Sequence, residues 1–262
     1  MEIVPTNQAQ TLIYVVAPAE MSNSYAYSLL PSTSLMLEKD GLSAWRNGNS
    51  TYVLTHTNKI SHEVLQVCDA CLLIIDGDVG VSPALIDTFR EAQDLSIPLH
   101  IGVNASISGR ADFDEVLAIS QRVLDSDAIA RYLPIESDEG EGIAGLFDLL
   151  TTDLHVLTES GIEIRPSDPE HVSLTIDKRA DIIEVLSHLG FSDEQLTSIE
   201  NGNPISIPAL EAAYHDAHLV EVTPLDEAVG KHIINAWQSM LPARWIPTVT
   251  QADEVLDVTS FV

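Results

Sequence analysis

From Asp69 to Phe113 the chain reads DACLLIIDGDVGVSPALIDTFREAQDLSIPLHIGVNASISGRADF. Ala70 to Asp76 is a short apolar run, Ser82 to Leu95 has amphipathic helical spacing, and Ile97 to Val103 is a second apolar run. The segment therefore predicts strand, helix, strand. Two near-continuous apolar strands joined by a helix belong in a parallel sheet covered on both faces: the crossover covers one face and later helices cover the other. The loop after the second strand, Asn104-Ala105-Ser106-Ile107, then falls at the carboxyl edge of the sheet, where such folds bind ligands.

The flanking chain continues the same grammar. Thr11 to Ala17 and Thr51 to Thr55 predict strands, with helices over Ser22 to Leu30, Ile60 to Val67 and Asp112 to Leu124. A strand follows over Ile129 to Ile135. Beyond it come short strands (Leu154 to Leu157, Ile162 to Ile164) and helices at Ile176 to Leu189, Ser192 to Glu200 and Pro208 to Ala217. His218 to Val222 returns as a last strand and Asp226 to Leu241 closes as a helix.

With 262 residues, 45% of them apolar, the chain can bury one substantial core plus a small subdomain. No apolar run is long enough for a membrane span, and the N-terminal MEIVPTNQAQTLIYVV lacks a signal-peptide pattern, so a cytoplasmic location is expected. The net charge of −28 repels phosphate backbones and argues against direct contact with nucleic acid. Cys68 and Cys71 fall where a helix ends and a buried strand begins, which suits core cysteines and not a redox pair at a helix N-terminus. The acidic turn Glu136 to Glu141 lacks EF-hand spacing, and Glu211, His215 and His218 near a helix end are a weak metal signal. No metal site and no catalytic residue are expected.

Asp76, Gly80-Val81-Ser82-Pro83, Arg90-Glu91-Ala92, Pro98, Asn104 and Arg110-Ala111-Asp112-Phe113 occur in an order that resembles the G domain of translational GTPases of the elongation factor G family. The resemblance implies a P-loop NTPase-like α/β fold: a mostly parallel sheet with helices on both faces, plus a small α+β inserted subdomain of the kind found in elongation factor G and not in elongation factor Tu. On that basis residues 1–150 and 218–242 form the G-domain-like core, 151–217 the insert and 243–262 a C-terminal tail. The tail's Val255, Leu256, Val258, Phe261 and Val262 are expected to dock on this domain or on a partner. The resemblance spans about Thr11 to Pro242, and the family's later domains are expected to be missing.

The nucleotide-contacting elements depart from the family pattern. A phosphate loop needs glycine to let backbone N–H groups close on phosphate, a lysine to bridge phosphates and a hydroxyl for Mg²⁺. By the resemblance, Ser22 stands for the glycine, Asn23 for the lysine, and only Ser24 keeps its chemistry. His56-Thr57-Asn58-Lys59 replaces Asp-Thr-Pro-Gly-His, and the segment of the first switch, between Leu30 and Thr51, is short. Asn104-Ala105-Ser106-Ile107 replaces Asn-Lys-x-Asp, losing base contacts of about 1.5–3 kcal/mol each. Thr223-Pro224-Leu225 replaces the base-contacting Ser-Ala. Ser22, Asn23, Ser24 and Asn104 thus remain as vestigial cofactor-binding positions.

The expected function is that of a pseudo-GTPase acting through protein partners, without a cofactor. The alternative is a translation-related protein that keeps weak or altered nucleotide binding, of GTP or GDP with Mg²⁺ or of another nucleotide. A third reading, ribosome binding through the insert, meets the objection that the family's insert faces acidic stalk proteins while this chain is itself acidic.

Overall fold

The computed structural model describes residues 6–33, 37–39, 41–104, 112–137, 142–201, 203, 205, 207–216, 219–241 and 244–248. Thr6–Ala17 forms β1, Asn23–Leu29 α1, Leu37–Lys39 β2, Leu42–Asn47 β3 and Ser50–His56 β4. His62–Val67 is α2, Ala70–Asp76 β5, Pro83–Asp94 α3, Leu99–Asn104 β6 and Phe113–Val123 α4. Tyr132–Glu136, Ile143–Asp148, Asp153–Thr158 and Gly161–Pro166 are β7 to β10. Pro169–Leu174 (α5), Ile176–His188 (α6), Asp193–Glu200 (α7) and Ile207–His215 (α8) follow, then Glu221–Pro224 (β11), Gly230–Ser239 (α9) and Arg244–Thr248 (β12).

The main sheet has the order β11-β6-β5-β1-β4-β3-β2. Its β11, β6, β5, β1 and β4 run parallel, while β3 and β2 add an antiparallel hairpin. The fold is therefore mixed α/β with a mostly parallel sheet. The central strands are apolar because both faces are covered. Ile13, Val15 and Ala17 of β1 pack with α1 and α9, whereas Leu12, Tyr14 and Val16 face α2, α3 and α4. Ser22, Ser61 and Ser82 cap their helices by accepting from the N–H three residues on, and Pro83 fills the first turn of α3. Gly230 lets α9 approach α1: a Cβ there would stand 2.6 Å from the Leu29 carbonyl oxygen.

Three elements depart from the expectations. The short segment before Thr51 forms the β2–β3 hairpin, and Gly41 and Gly48 adopt φ of 84° and 57°. Gly41 stands at the turn between β2 and β3, and Gly48-Asn49 is the two-residue turn between β3 and β4, across which Asn47 pairs with Ser50. Second, β7 to β10 make a separate antiparallel sheet of order β10-β9-β8-β7, which runs across the expected division at residue 150. Third, Arg244–Thr248 of the tail pairs with Thr6–Gln10 of β1. The tail's apolar residues from Val255 onward lie outside the described residues.

The second sheet packs Leu133, Phe147, Leu154 and Val156 into the core shared with α6 and α7, and turns Tyr132 and Leu146 toward Val229 and Ile233. The chain passes from one sheet to the other at Ile129, which still bridges Glu221 of β11. Two residues on, Arg131 donates from Nη2 to Asp148 Oδ2 at 2.9 Å, with Nη1 3.8 Å from Glu221 Oε1. Asp148 Oδ1 also accepts from the Leu150 N–H at 2.9 Å, so one carboxylate fixes the sheet seam and the β8–β9 turn together. In that turn Thr152 takes φ 62°, a strained setting for a β-branched residue. Removing one partner of a buried ion pair costs about 3–5 kcal/mol. Arg131→Met is therefore expected to lower the urea unfolding free energy by about that amount, because Asp148 and Glu221 stay buried without it. Wild-type stability in the variant would contradict this role.

Candidate functional site

In open α/β sheets the ligand crevice lies at the carboxyl ends of the strands, where the chain turns to opposite sides. Here that point is over β1 and β5, since the chain leaves β1 toward β4 and leaves β5 toward β6 on the other side. The β1–α1 loop, the end of β4, the β5–α3 loop and the ends of β6 and β11 meet at this edge. Ser22, Asn23, Ser24, His56 and Asn104 all belong to these segments. Ala105, Ser106 and Ile107 lie outside the described residues.

Each of these side chains is bound within the chain. Ser22 Oγ accepts from the Tyr25 N–H at 3.2 Å and stands 3.2 Å from Ser24 Oγ, so both hydroxyls serve the helix start. Asn23 Nδ2 donates to Glu38 Oε1 at 2.8 Å and to Ser43 Oγ at 2.9 Å, tying α1 to the β2–β3 hairpin. His56 Nε2 donates to the Met21 carbonyl at 2.7 Å, closing the end of β4 onto the β1–α1 loop. Asn104 is buried and donates from Nδ2 to the Leu225 carbonyl at 2.7 Å and to Tyr25 Oη at 3.3 Å. Its Oδ1 is buried with no partner among the described residues.

A nucleoside triphosphate with Mg²⁺ needs a different donor set. One form of backbone anion nest alternates right- and left-handed residues, and from Ala17 to Ser24 no residue has a positive φ. At the position the resemblance gives to lysine, a neutral amide already faces a carboxylate, and Glu38 would repel an arriving phosphate. Among the described residues, the side chains of the β1–α1 loop and the start of α1 do not supply the lysine that a phosphate loop uses.

A second polar cluster, not identified from the sequence, lies beneath the seam. His100 Nε2 bonds Thr223 Oγ1 at 2.8 Å, and its Nδ1 is 3.8 Å from Glu221 Oε2. The His100 ring lies 4.9 Å from that of Trp237. Beyond the seam, His155 Nδ1 and His232 Nε2 are 2.8 Å apart, so one ring donates and the other accepts. Burial pushes His100 down to about 3, with Arg131 adding to the effect. Burial raises Glu221 above its ordinary value, partly offset by Arg131. The available sequence signal was a charged or imidazole residue inside each apolar run: His100, Arg131, Asp148 and Glu221. Cys68 and Cys71 are buried, Cys68 Sγ donates to the Leu65 carbonyl at 3.2 Å, and burial raises Cys71, as suits core positions. Among the described residues there is no group of three or more His, Cys, Asp or Glu placed to hold a metal, and no helix is long and apolar enough to cross a membrane.

No protein-family model matches the chain. Among solved structures it is similar to the crystal structure of a protein from Thermus thermophilus, with a TM-score of 0.63 at 13% identity. The match covers 90% of this chain and 40% of that one, so the chain spans about two fifths of the neighbour's length. At this identity the likeness shows a common fold.

His100 sets a sign for the pH dependence. The unfolded chain protonates this imidazole near its ordinary 6.5, whereas the folded chain resists until about 3, so its contribution to stability is lost as pH falls through that window. Glu221 works in the opposite sense, costing stability as pH rises above 4.5 through its raised value. His100→Gln, which can still bond Thr223, is expected to lose less stability than wild type between pH 6.5 and pH 4 in urea titrations. Parallel acid limbs for the two proteins would exclude His100 as the source.

Proposed function

We propose that the chain is a degenerate relative of the elongation factor G nucleotide domain with its inserted subdomain: a pseudo-GTPase serving as a protein-interaction or regulatory module. In this reading the parallel sheet and its helices are the P-loop NTPase-like core, and the β7–β10 sheet with α5 to α8 is the insert, so the expected boundary at residue 150 moves back to the point where the chain leaves Ile129. One observation carries the reading. Asn23, at the lysine position of the resemblance, has its amide bonded to Glu38 and Ser43 of the same chain. The seat of the phosphates thus faces a carboxylate. The placement of Ser22, Asn23, Ser24 and Asn104 at the carboxyl edge, together with the motif order, supports descent from a nucleotide domain. The partner is a protein in the cytoplasm; the −28 charge disfavours nucleic acid.

The unpartnered Asn104 Oδ1 favours a second reading, in which a translation-related protein keeps weak or altered binding of GTP or GDP with Mg²⁺. Calorimetric titration with GTP and GDP, each with and without Mg²⁺, separates the two. The pseudo-GTPase is expected to give no binding heat at millimolar nucleotide. Micromolar binding would put the second reading first.

A further inference from the structure

The β2–β3 hairpin leans on α1 and the segment after it through two groups of contacts. At the far end Trp45 Nε1 donates to the Pro31 carbonyl at 3.0 Å, and Thr33 donates from N and Oγ1 to the Arg46 carbonyl at 3.2 and 3.1 Å. The Trp45 ring stands edge-on to Tyr27 and is stacked on Tyr52, each at 5.3 Å. These hydrogen bonds and ring contacts, with the pairing of β3 to β4 from Ser43 to Asn47, seat the far end of the hairpin. At the near end, beside the crevice, the hairpin is held by Asn23, whose amide reaches Glu38 on β2 and Ser43 on β3. A carboxylate can only accept, so the amide nitrogen is fixed as the donor.

We propose that Asn23 and Glu38 form a built-in latch, in which the chain's own carboxylate takes the Asn23 amide at the crevice edge and holds the β2–β3 hairpin against α1 without a ligand. In a nucleotide switch, the element at this edge is ordered by γ-phosphate and Mg²⁺ and released on hydrolysis. Here the holding group is covalently part of the hairpin, so its effective concentration is fixed and the closed state is constitutive. Asparagine suits this role because it is neutral and short, and it satisfies a carboxylate and a hydroxyl together while leaving no net positive charge to draw in a competing phosphate. The proposal rests on the reading of the chain as a degenerate nucleotide domain.

The test is amide hydrogen exchange on the whole protein and three variants: Asn23→Asp, Asn23→Ala, and Asn23→Asp combined with Glu38→Gln. Asn23→Asp sets two carboxylates against each other and is expected to speed exchange across Leu42–Asn47 by about tenfold, leaving β5 and β6 unchanged. Asn23→Ala should loosen the same amides by a smaller factor. Adding Glu38→Gln to Asn23→Asp exchanges donor and acceptor, and should return the hairpin to wild-type exchange. Unchanged exchange in Asn23→Asp, or no recovery in the double variant, would overturn the latch alone. Protection of the wild-type hairpin by GTP with Mg²⁺ would overturn both the latch and the reading beneath it.

Discussion

Arg131 and Asp148 meet where the chain leaves a parallel sheet and begins an antiparallel one, and their pairing determines how the two sheets sit. Burying either charge alone would be prohibitive, so the chain brings several partners to one place. The Arg131 guanidinium lies over the Tyr132 ring at 4.8 Å and reaches Glu221 on the edge strand β11. Asp148 in turn receives the N–H groups of the turn that leads into β9. Arg179 of α6 reinforces the same turn by donating to the Leu149 carbonyl at 2.5 Å, and it reaches the Ile199 carbonyl at the end of α7. A few polar residues thereby join β8, β11, α6 and α7 across the apolar layers.

That rigidity bears on the opposite edge. Helix α1 sits against α9 at Gly230 and donates from Ser28 Oγ to Glu227, while Asn104 ties it to β6 and to the loop after β11. With Asn23 on the hairpin and His56 on the β1–α1 loop, polar side chains of this edge find partners on neighbouring segments. In a ligand-dependent switch several of these segments are held together by the ligand. Here direct hydrogen bonds from side chains join them.

The apolar runs made the parallel sheet legible. Ala70–Asp76 was readable as a strand because six of its seven residues, Ala70 to Ile75, are buried between two helical layers, leaving uninterrupted hydrophobicity as its signature. The position of Asn104 at the carboxyl edge was readable from the strand-helix-strand pattern, and those of Ser22 and Asn23 from the family resemblance. Their partners were not. Glu38 lies in a three-residue strand too short to show periodicity, and only the glycine turns around it mark the hairpin. The seam was hidden for another reason: Arg131, Asp148 and Glu221 lie far apart in sequence, and a single charge within an apolar run does not say what neutralises it. The antiparallel sheet likewise depends on pairing between segments that each look like an isolated short strand.

At the crevice edge the side chains of Asn23 and His56 are held by partners within the chain. A crystal structure grown with millimolar GTP and Mg²⁺ tests this most directly. The account requires Asn23 bonded to Glu38 and Ser43, His56 bonded to the Met21 carbonyl, and no nucleotide density between β1 and β5. A bound nucleotide with Asn23 turned away from Glu38 would contradict it.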